Sequence, residues 1–312
     1  MSAGERRCPA CGGALAGWRT VPASDPALPG TFALDRCTRC ASAVTRGPAP
    51  AGAHESGAYG GGSPRGSRLA APLLRSFARR RLALLERAGG RPPGRLLDVG
   101  AGRGRFVAAA RAAGWQADGI EPSLRGVEGA RALGVDLQHA GVEDADVPAG
   151  SLDAATLWHV LEHLDEPARA LDRIGAWLRP GGLLLVGVPN LESVQARLGG
   201  ARWYHLDVPR HRTHFTVRGL HALLGACGLQ PVATDHLLVE HNPFGLWQSL
   251  VSRATTTPSW LYHALKRNAP LRTRDALVTA AALPLAPLAV AAEAASGLAR
   301  RGGTVAVVAR RQ

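Results

Sequence analysis

The chain has 312 residues, enough for one large domain and a small one, and 46% of them are apolar, the ordinary fraction for a globular protein. Its formal net charge is +13, carried almost wholly by arginine, because Lys266 is the one lysine; that balance permits nucleic-acid or anionic-lipid partners and selects neither. The polar N-terminal stretch has no apolar core segment, which argues against a secretory leader and for a cytoplasmic protein whose thiols stay reduced.

The first element is a pair of CxxC knuckles, Cys8-Pro-Ala-Cys11 and Cys37-Thr-Arg-Cys40. In a reducing compartment paired cysteines point to metal before disulfide. Four thiolates satisfy tetrahedral Zn²⁺ in a closed, structural site. Residues 1–45 are therefore expected to form a zinc ribbon. The fifth cysteine, Cys227, stands alone and reads as a buried helix residue. Residues 46–68 are rich in Gly, Pro and Ser with no apolar period, and read as a flexible linker carrying His54 and Tyr59.

A helix is expected over 69–88. Strands then read RLLDVG, ADGIEP, VDLQHA, LDAATLWH and GLLLVGVP, separated by helices at 103–113, 123–133 and 166–178. A further helix, TVRGLHALLGACG, leads into a sixth strand at 230–241, and GTVAVVARR ends the chain as a seventh. This alternation predicts an α/β fold: a Rossmann-like seven-stranded sheet with helices on both faces, spanning 69–241 and closed by the strand at 303–312. Between the last two strands lies an apolar insertion, 242–302. Its uncharged run, 276–292, has 17 residues and two prolines. That is borderline for a bilayer span, and the returning strand favours a helical hairpin lying on the domain or at a membrane interface through 276–299.

The glycines at 100, 102 and 104 follow an acid, Asp98, in the pattern DxGxGxG rather than the dinucleotide GxGxxG. The stretch resembles motif I of the class I S-adenosylmethionine-dependent methyltransferases, and Glu121 at the end of the second strand agrees with it, as does 151–167, the fourth strand and its following loop. The resemblance implies that Gly100 and Gly102 let backbone approach the methionine and ribose portions of the cofactor, with Gly104 a further cofactor-binding residue. It also implies that Asp98 supports the methionine ammonium, Glu121 accepts from the ribose hydroxyls, and Val142 and Glu143 flank the adenine. No (Asn/Asp)-Pro-Pro-aromatic motif follows the fourth strand, which argues against DNA adenine methylation.

That place is taken by WHVLEH. His159, Glu162 and His163 are spaced to share a turn. Three readings stay open: His159 or His163 as general base, the three side chains as ligands of a second divalent cation, or a structural motif. The metal spacing resembles the Glu-x-x-Glu-His element of metal-dependent O-methyltransferases, with His159 in place of the first acid. After strand five, RWYHLDVPRHRTHFT offers Arg210, His211 and His214 as candidates for an anionic or hydroxylated substrate, with Thr216 as a helix N-cap in the alternative reading. The resulting expectation is methyl transfer to oxygen or carbon of a small-molecule or lipid- or glycan-linked acceptor, in the cytoplasm or peripherally at the inner membrane face. An RNA methyltransferase and a non-catalytic ligand-binding scaffold are the alternatives.

Overall fold

The computed structural model describes residues 6–50, 52–53, 71–90, 92–238, 240 and 242–312. His54 and Tyr59, with most of the expected linker, lie outside the described residues. The chain groups into two compact units.

One unit, 68–188 with 221–234 and 306–312, carries the expected large sheet. Its strands are β4 (Arg95–Val99), β5 (Gln116–Glu121), β6 (Gln138–His139), β7 (Leu152–Trp158), β8 (Leu178–Pro189), β10 (Leu229–Asp235) and β11 (Thr304–Arg311), in the order β10-β11-β8-β7-β4-β5-β6. β4 pairs in parallel with β5 and β7, β5 with β6, and β7 with β8. The strands read as apolar runs because both faces are covered: Leu96, Leu97 and Val99 of β4 and Leu183 to Val186 of β8 are all buried. The intervening helices are α1 (Ala71–Arg87), α2 (Arg105–Ala112), α3 (Leu124–Arg131), α4 (Pro167–Trp177) and α6 (Val217–Ala226). The third strand is the shortest, two residues instead of the expected six. The sixth ends at Asp235 rather than running on to 241.

The other unit, 1–67 with 189–220 and 235–305, divides the chain differently from the composition. β1 (Leu15–Pro22), β2 (Thr31–Cys37) and β3 (Ala43–Thr45) form the antiparallel sheet expected of a ribbon, but a fourth strand, β9 (Thr213–His214), pairs with β3. The ribbon is therefore not a separate bead. Val21, Leu34 and Ala43 share one core with Leu191, Ala196, Trp203, Leu206 and Val208 from the segment after β8. A three-stranded sheet of this size has too little apolar area to stand alone, and the later segment supplies it.

The insertion belongs to the same unit. It holds α7 (Asn242–Val251), which packs on α5 (Val194–Gly199) from the segment after β8, then α8 (Trp260–Leu265), α9 (Thr273–Ala282), a 3₁₀ turn at Leu283–Leu285 and α10 (Ala286–Leu298). The expected hairpin at the prolines does not form. Pro284 and Pro287 sit in the first turn of the 3₁₀ segment and of α10, where a missing N–H costs little, and the joining residues keep helical φ/ψ, so Thr273–Leu298 runs on as one helical stretch of 26 residues in three hydrogen-bonded pieces. Among the described residues it is the one helix long and apolar enough to cross a membrane.

Candidate functional site

In the seven-stranded unit the register of β4 on β7 sets Asp98 opposite Thr156. Thr156 Oγ1 donates a 2.6 Å hydrogen bond to Asp98 Oδ1. Burial nonetheless raises the Asp98 carboxyl to about 6, opposed by Thr156 and by the charge of Arg81 and reinforced by Glu121. A buried carboxylate so placed can accept a hydrogen bond from a cationic group.

After Val99 the chain turns through three glycines with positive φ. At Gly100 (φ 70°) a Cβ would lie 2.5 Å from Val160, so the turn closes only on glycine. At Gly102 (φ 56°) nothing lies within 4 Å of that direction: the backbone faces open space where a ligand can approach. Gly104 has a different reason. Its Cβ would strike Val135 and Ala130, so it serves packing rather than ligand approach.

Glu121 is tied to this turn. Gly102 N–H donates to Glu121 Oε2 at 2.7 Å and Ser123 N–H to Oε1 at 3.0 Å, fixing the carboxylate while leaving each oxygen further acceptor capacity. Gly126 allows the approach, since a Cβ there would come 2.6 Å from Glu121 Cγ. Val142 is buried and Glu143 exposed in the turn after β6. Sequence reasoning missed Arg81 on α1. Its guanidinium lies 4.1 Å from the Trp158 ring centroid and 5.9 Å from that of Phe106, and its charge acts on Asp98. In a helix crowded with arginines, pattern alone does not single it out.

β7 ends at Trp158, and His159 takes a left-handed conformation (φ 55°) with its N–H donating to Gly187 O. A non-glycine residue held there stores strain of the kind found at functional sites. His159 Nδ1 meets Glu162 Oε1 at 3.1 Å across the short 3₁₀ turn Leu161–His163. A carboxylate only accepts, so in this bond Nδ1 is the donor, which makes Nε2 the ring nitrogen able to act as a base. Glu162 is buried and the His159 side chain about one-fifth exposed, so the pair couples a fixed acid to an accessible imidazole. His163 is half-buried, its N–H on Val160 O.

In the other unit the structure corrects two substrate candidates. Arg210 is fully buried. Its guanidinium binds Asp25 Oδ2 at 2.5 Å, Asp207 Oδ1 at 3.1 Å and Ala53 O at 2.7 Å, so it is spent on folding rather than presented to an anion. His214 is buried in β9 and hydrogen-bonded to Thr45 Oγ1 at 3.0 Å. Burial, with Arg19 and Arg212 nearby, lowers it to about 3 and keeps it neutral. His211 is also buried and donates from Nδ1 to His205 O at 2.9 Å. Thr216 Oγ1 accepts from Gly219 N–H, the N-cap expected of it.

The four cysteines Cys8, Cys11, Cys37 and Cys40 do converge, each sulfur within 4.8 Å of the others. Cys8 and Cys40 are 3.7 Å apart and Cys11 and Cys37 3.5 Å, against an edge of about 3.8 Å for a tetrahedron with Zn–S bonds of about 2.3 Å. Arg39 and Cys40 N–H groups donate to Cys37 Sγ, and Gly13 is required because a Cβ would meet that sulfur at 2.9 Å. The donor set fits Zn²⁺.

The family described as a methyltransferase domain matches residues 71–234. A ubiquinone biosynthesis O-methyltransferase of Aromatoleum aromaticum is 30% identical over 59% of this chain and 82% of its own length. An uncharacterized 37.1 kDa protein in a transposon of Streptomyces fradiae is 34% identical over 36% of this chain and 34% of its own. In further relatives named as ubiquinone biosynthesis O-methyltransferases the chain spans 42–56% of the length. Among solved structures, a possible histamine N-methyltransferase of Thermotoga maritima is 21% identical, with 77% of this chain and 92% of that one covered and a TM-score of 0.48.

Proposed function

The chain belongs to the methyltransferase-domain family, and from that premise we propose that it transfers a methyl group from S-adenosylmethionine to an oxygen or carbon of a small-molecule or lipid- or glycan-linked acceptor. The observation that carries the reading is the Glu121 carboxylate, hydrogen-bonded to the N–H groups of Gly102 and Ser123 beside an open glycine turn. Glu121 then holds the ribose hydroxyls, Asp98 the ammonium, and Arg81 is the nearby cation for a carboxylate. The cofactor supplies the electrophilic methyl. The chain supplies orientation, dryness and a proton acceptor. Glu143 and Val142 are assigned to the adenine side.

His159 is the proposed general base. Its Nε2 takes the acceptor's hydroxyl proton while Glu162 steadies the imidazolium. His163 is kept as the second candidate. The direct His159–Glu162 bond supports this over a second divalent cation at His159, Glu162 and His163. His211 remains a candidate for substrate. Oxygen as the acceptor atom draws support from the activity named for the Aromatoleum relative. One structural Zn²⁺ is assigned to Cys8, Cys11, Cys37 and Cys40. The RNA alternative has less support. Trp18 is covered by Arg19 at 3.8 Å and packs on the ribbon core, so it is no stacking platform for a base.

Calorimetry with S-adenosylmethionine, its demethylated product and NAD(H) tests the cofactor, with tight binding of the first two expected. Tighter binding of NAD(H) would overturn the reading. Mass spectrometry of extract incubated with isotopically labelled methyl donor then identifies the acceptor.

A further inference from the structure

The helical run Thr273–Leu298 is inside out. Its buried positions, Asp275, Thr279, Ala289, Glu293, Ser296 and Gly297, with half-buried Ala282 and Ala286 between them, recur every three or four residues and form one stripe along its whole length. That stripe is polar or small apart from half-buried Val278, which packs with Ala282, Ala286 and Ala289 on the cluster of Leu246, Trp247 and Val251. Asp275 accepts from the N–H groups of Thr256 and Thr257, and Glu293 from Gly303 N–H and Gln195 Nε2. The large apolar side chains point the other way: Leu277, Leu283, Leu285, Leu288, Val290 and Leu298 are each at least half exposed. From 276 to 299 the one charged residue is Glu293, and it is buried. A surface helix of a water-soluble protein has the reverse polarity.

The ends of the run differ from its middle. Arg272 and Arg274 at the start and Arg300 and Arg301 just past the finish are exposed. An uncharged apolar face about 32 Å long, from Leu277 to Leu298 and bounded by arginines, matches the boundary between acyl chains and anionic headgroups. The helix is long enough to span a bilayer. The stripe argues otherwise: both buried acids are bonded to other parts of the same unit, so only the outer face is available to lipid. A second copy is a poorer occupant. Self-pairing along this face, parallel or antiparallel, would set arginines against arginines.

We propose that the outer face of Thr273–Leu298 lies in the interface of a membrane containing anionic phospholipid, as a peripheral docking surface. The proposal is independent of the methyl-transfer reading, although a membrane-bound enzyme would meet amphiphilic acceptors there.

The test uses the full chain and flotation with vesicles of phosphatidylcholine alone or with added phosphatidylglycerol. The protein is expected to float with the phosphatidylglycerol vesicles. Leu277→Glu with Leu288→Glu should weaken partitioning by about a hundredfold, with the melting curve and S-adenosylmethionine affinity unchanged. Arg272→Glu with Arg300→Glu should remove the preference for anionic vesicles. Failure of the wild type to float, or equal flotation of the leucine variant, would overturn the proposal. So would concentration-dependent self-association in sedimentation equilibrium that the leucine variant abolishes. Flotation reads the surface whether or not any methyl acceptor is found, so the two readings fail separately.

Discussion

Thr156 and Asp98 face each other across paired strands, and their 2.6 Å hydrogen bond holds a buried carboxylate that carries the wrong charge for its surroundings. With the cofactor's ammonium in place that charge would be answered. Without it, the fold bears the cost.

The cost gives a pH signature. The Asp98 carboxyl is raised from 3.8 to about 6, so folding favours its protonated form. Its contribution to stability is complete below about pH 4 and is lost as pH rises through about 6, a swing of roughly 3 kcal/mol. Asp98→Asn should therefore melt higher than the parent above pH 6 and equally at pH 4, while losing S-adenosylmethionine affinity by calorimetry. Equal melting at both pH values would remove the assignment of a buried ionised carboxylate.

His159→Ala is expected to leave cofactor affinity nearly intact and to cut turnover by about 10²–10⁴-fold. Glu162→Gln should have a smaller effect of the same kind, because it keeps the shape but loses the charge that steadies the imidazolium. Added divalent cation should rescue neither. Full activity of His159→Ala with His163→Ala would move the search for a base to His211.

Much of this site is legible because it is local. The glycine turn, Asp98 and Glu121 sit in short stretches where a period and a turn type announce them, and the CxxC knuckles carry their own spacing. What stayed hidden depends on distant pairing. β9 is two residues long and finds β3 across 169 residues of chain (Thr213 on Val44), which leaves no period to read. Arginine suits an anion and a buried ion pair equally well, so only geometry shows Arg210 on Asp25. The prolines at 284 and 287 suggested a hairpin because their position within a helical turn is invisible before the turn is seen.

Arg210→Ala is expected to act on folding rather than on substrate. It takes from buried Asp25 the guanidinium it is paired with, while the neutral Asn268 amide stays at 2.6 Å. Losing one partner of such a pair costs about 3–5 kcal/mol. Denaturant unfolding should show that loss. Steady-state kinetics on the remaining folded protein should show an unchanged KM; a KM that rises with unchanged stability would restore Arg210 as a substrate ligand.

A zinc ion held by the four cysteines would organise more than the ribbon itself. If the ribbon were a separate bead, losing metal would disorder only its own residues. Beyond the β3–β9 pairing and the shared core, three side-chain-to-backbone hydrogen bonds at residues 40–45 join it to the later segment. Thr216 N–H donates to Ser42 Oγ, Thr216 Oγ1 donates to Cys40 O, and Thr45 Oγ1 donates to His211 O. Two of these fall within two residues of Cys40, so the backbone that the sulfurs hold is the backbone that places the 211–216 segment. Elemental analysis of the purified chain should give one zinc, and Cys37→Ser should lose it. Structural zinc can carry on the order of 10 kcal/mol of folding free energy, enough to undo all three contacts. Hydrogen exchange in the variant should then rise by about tenfold or more at Thr213, His214 and Thr216 as well as in β1 to β3. The amides of β7 serve as the internal control for global unfolding. Loss of protection confined to residues 6–45 would mean that the ribbon folds and unfolds alone after all.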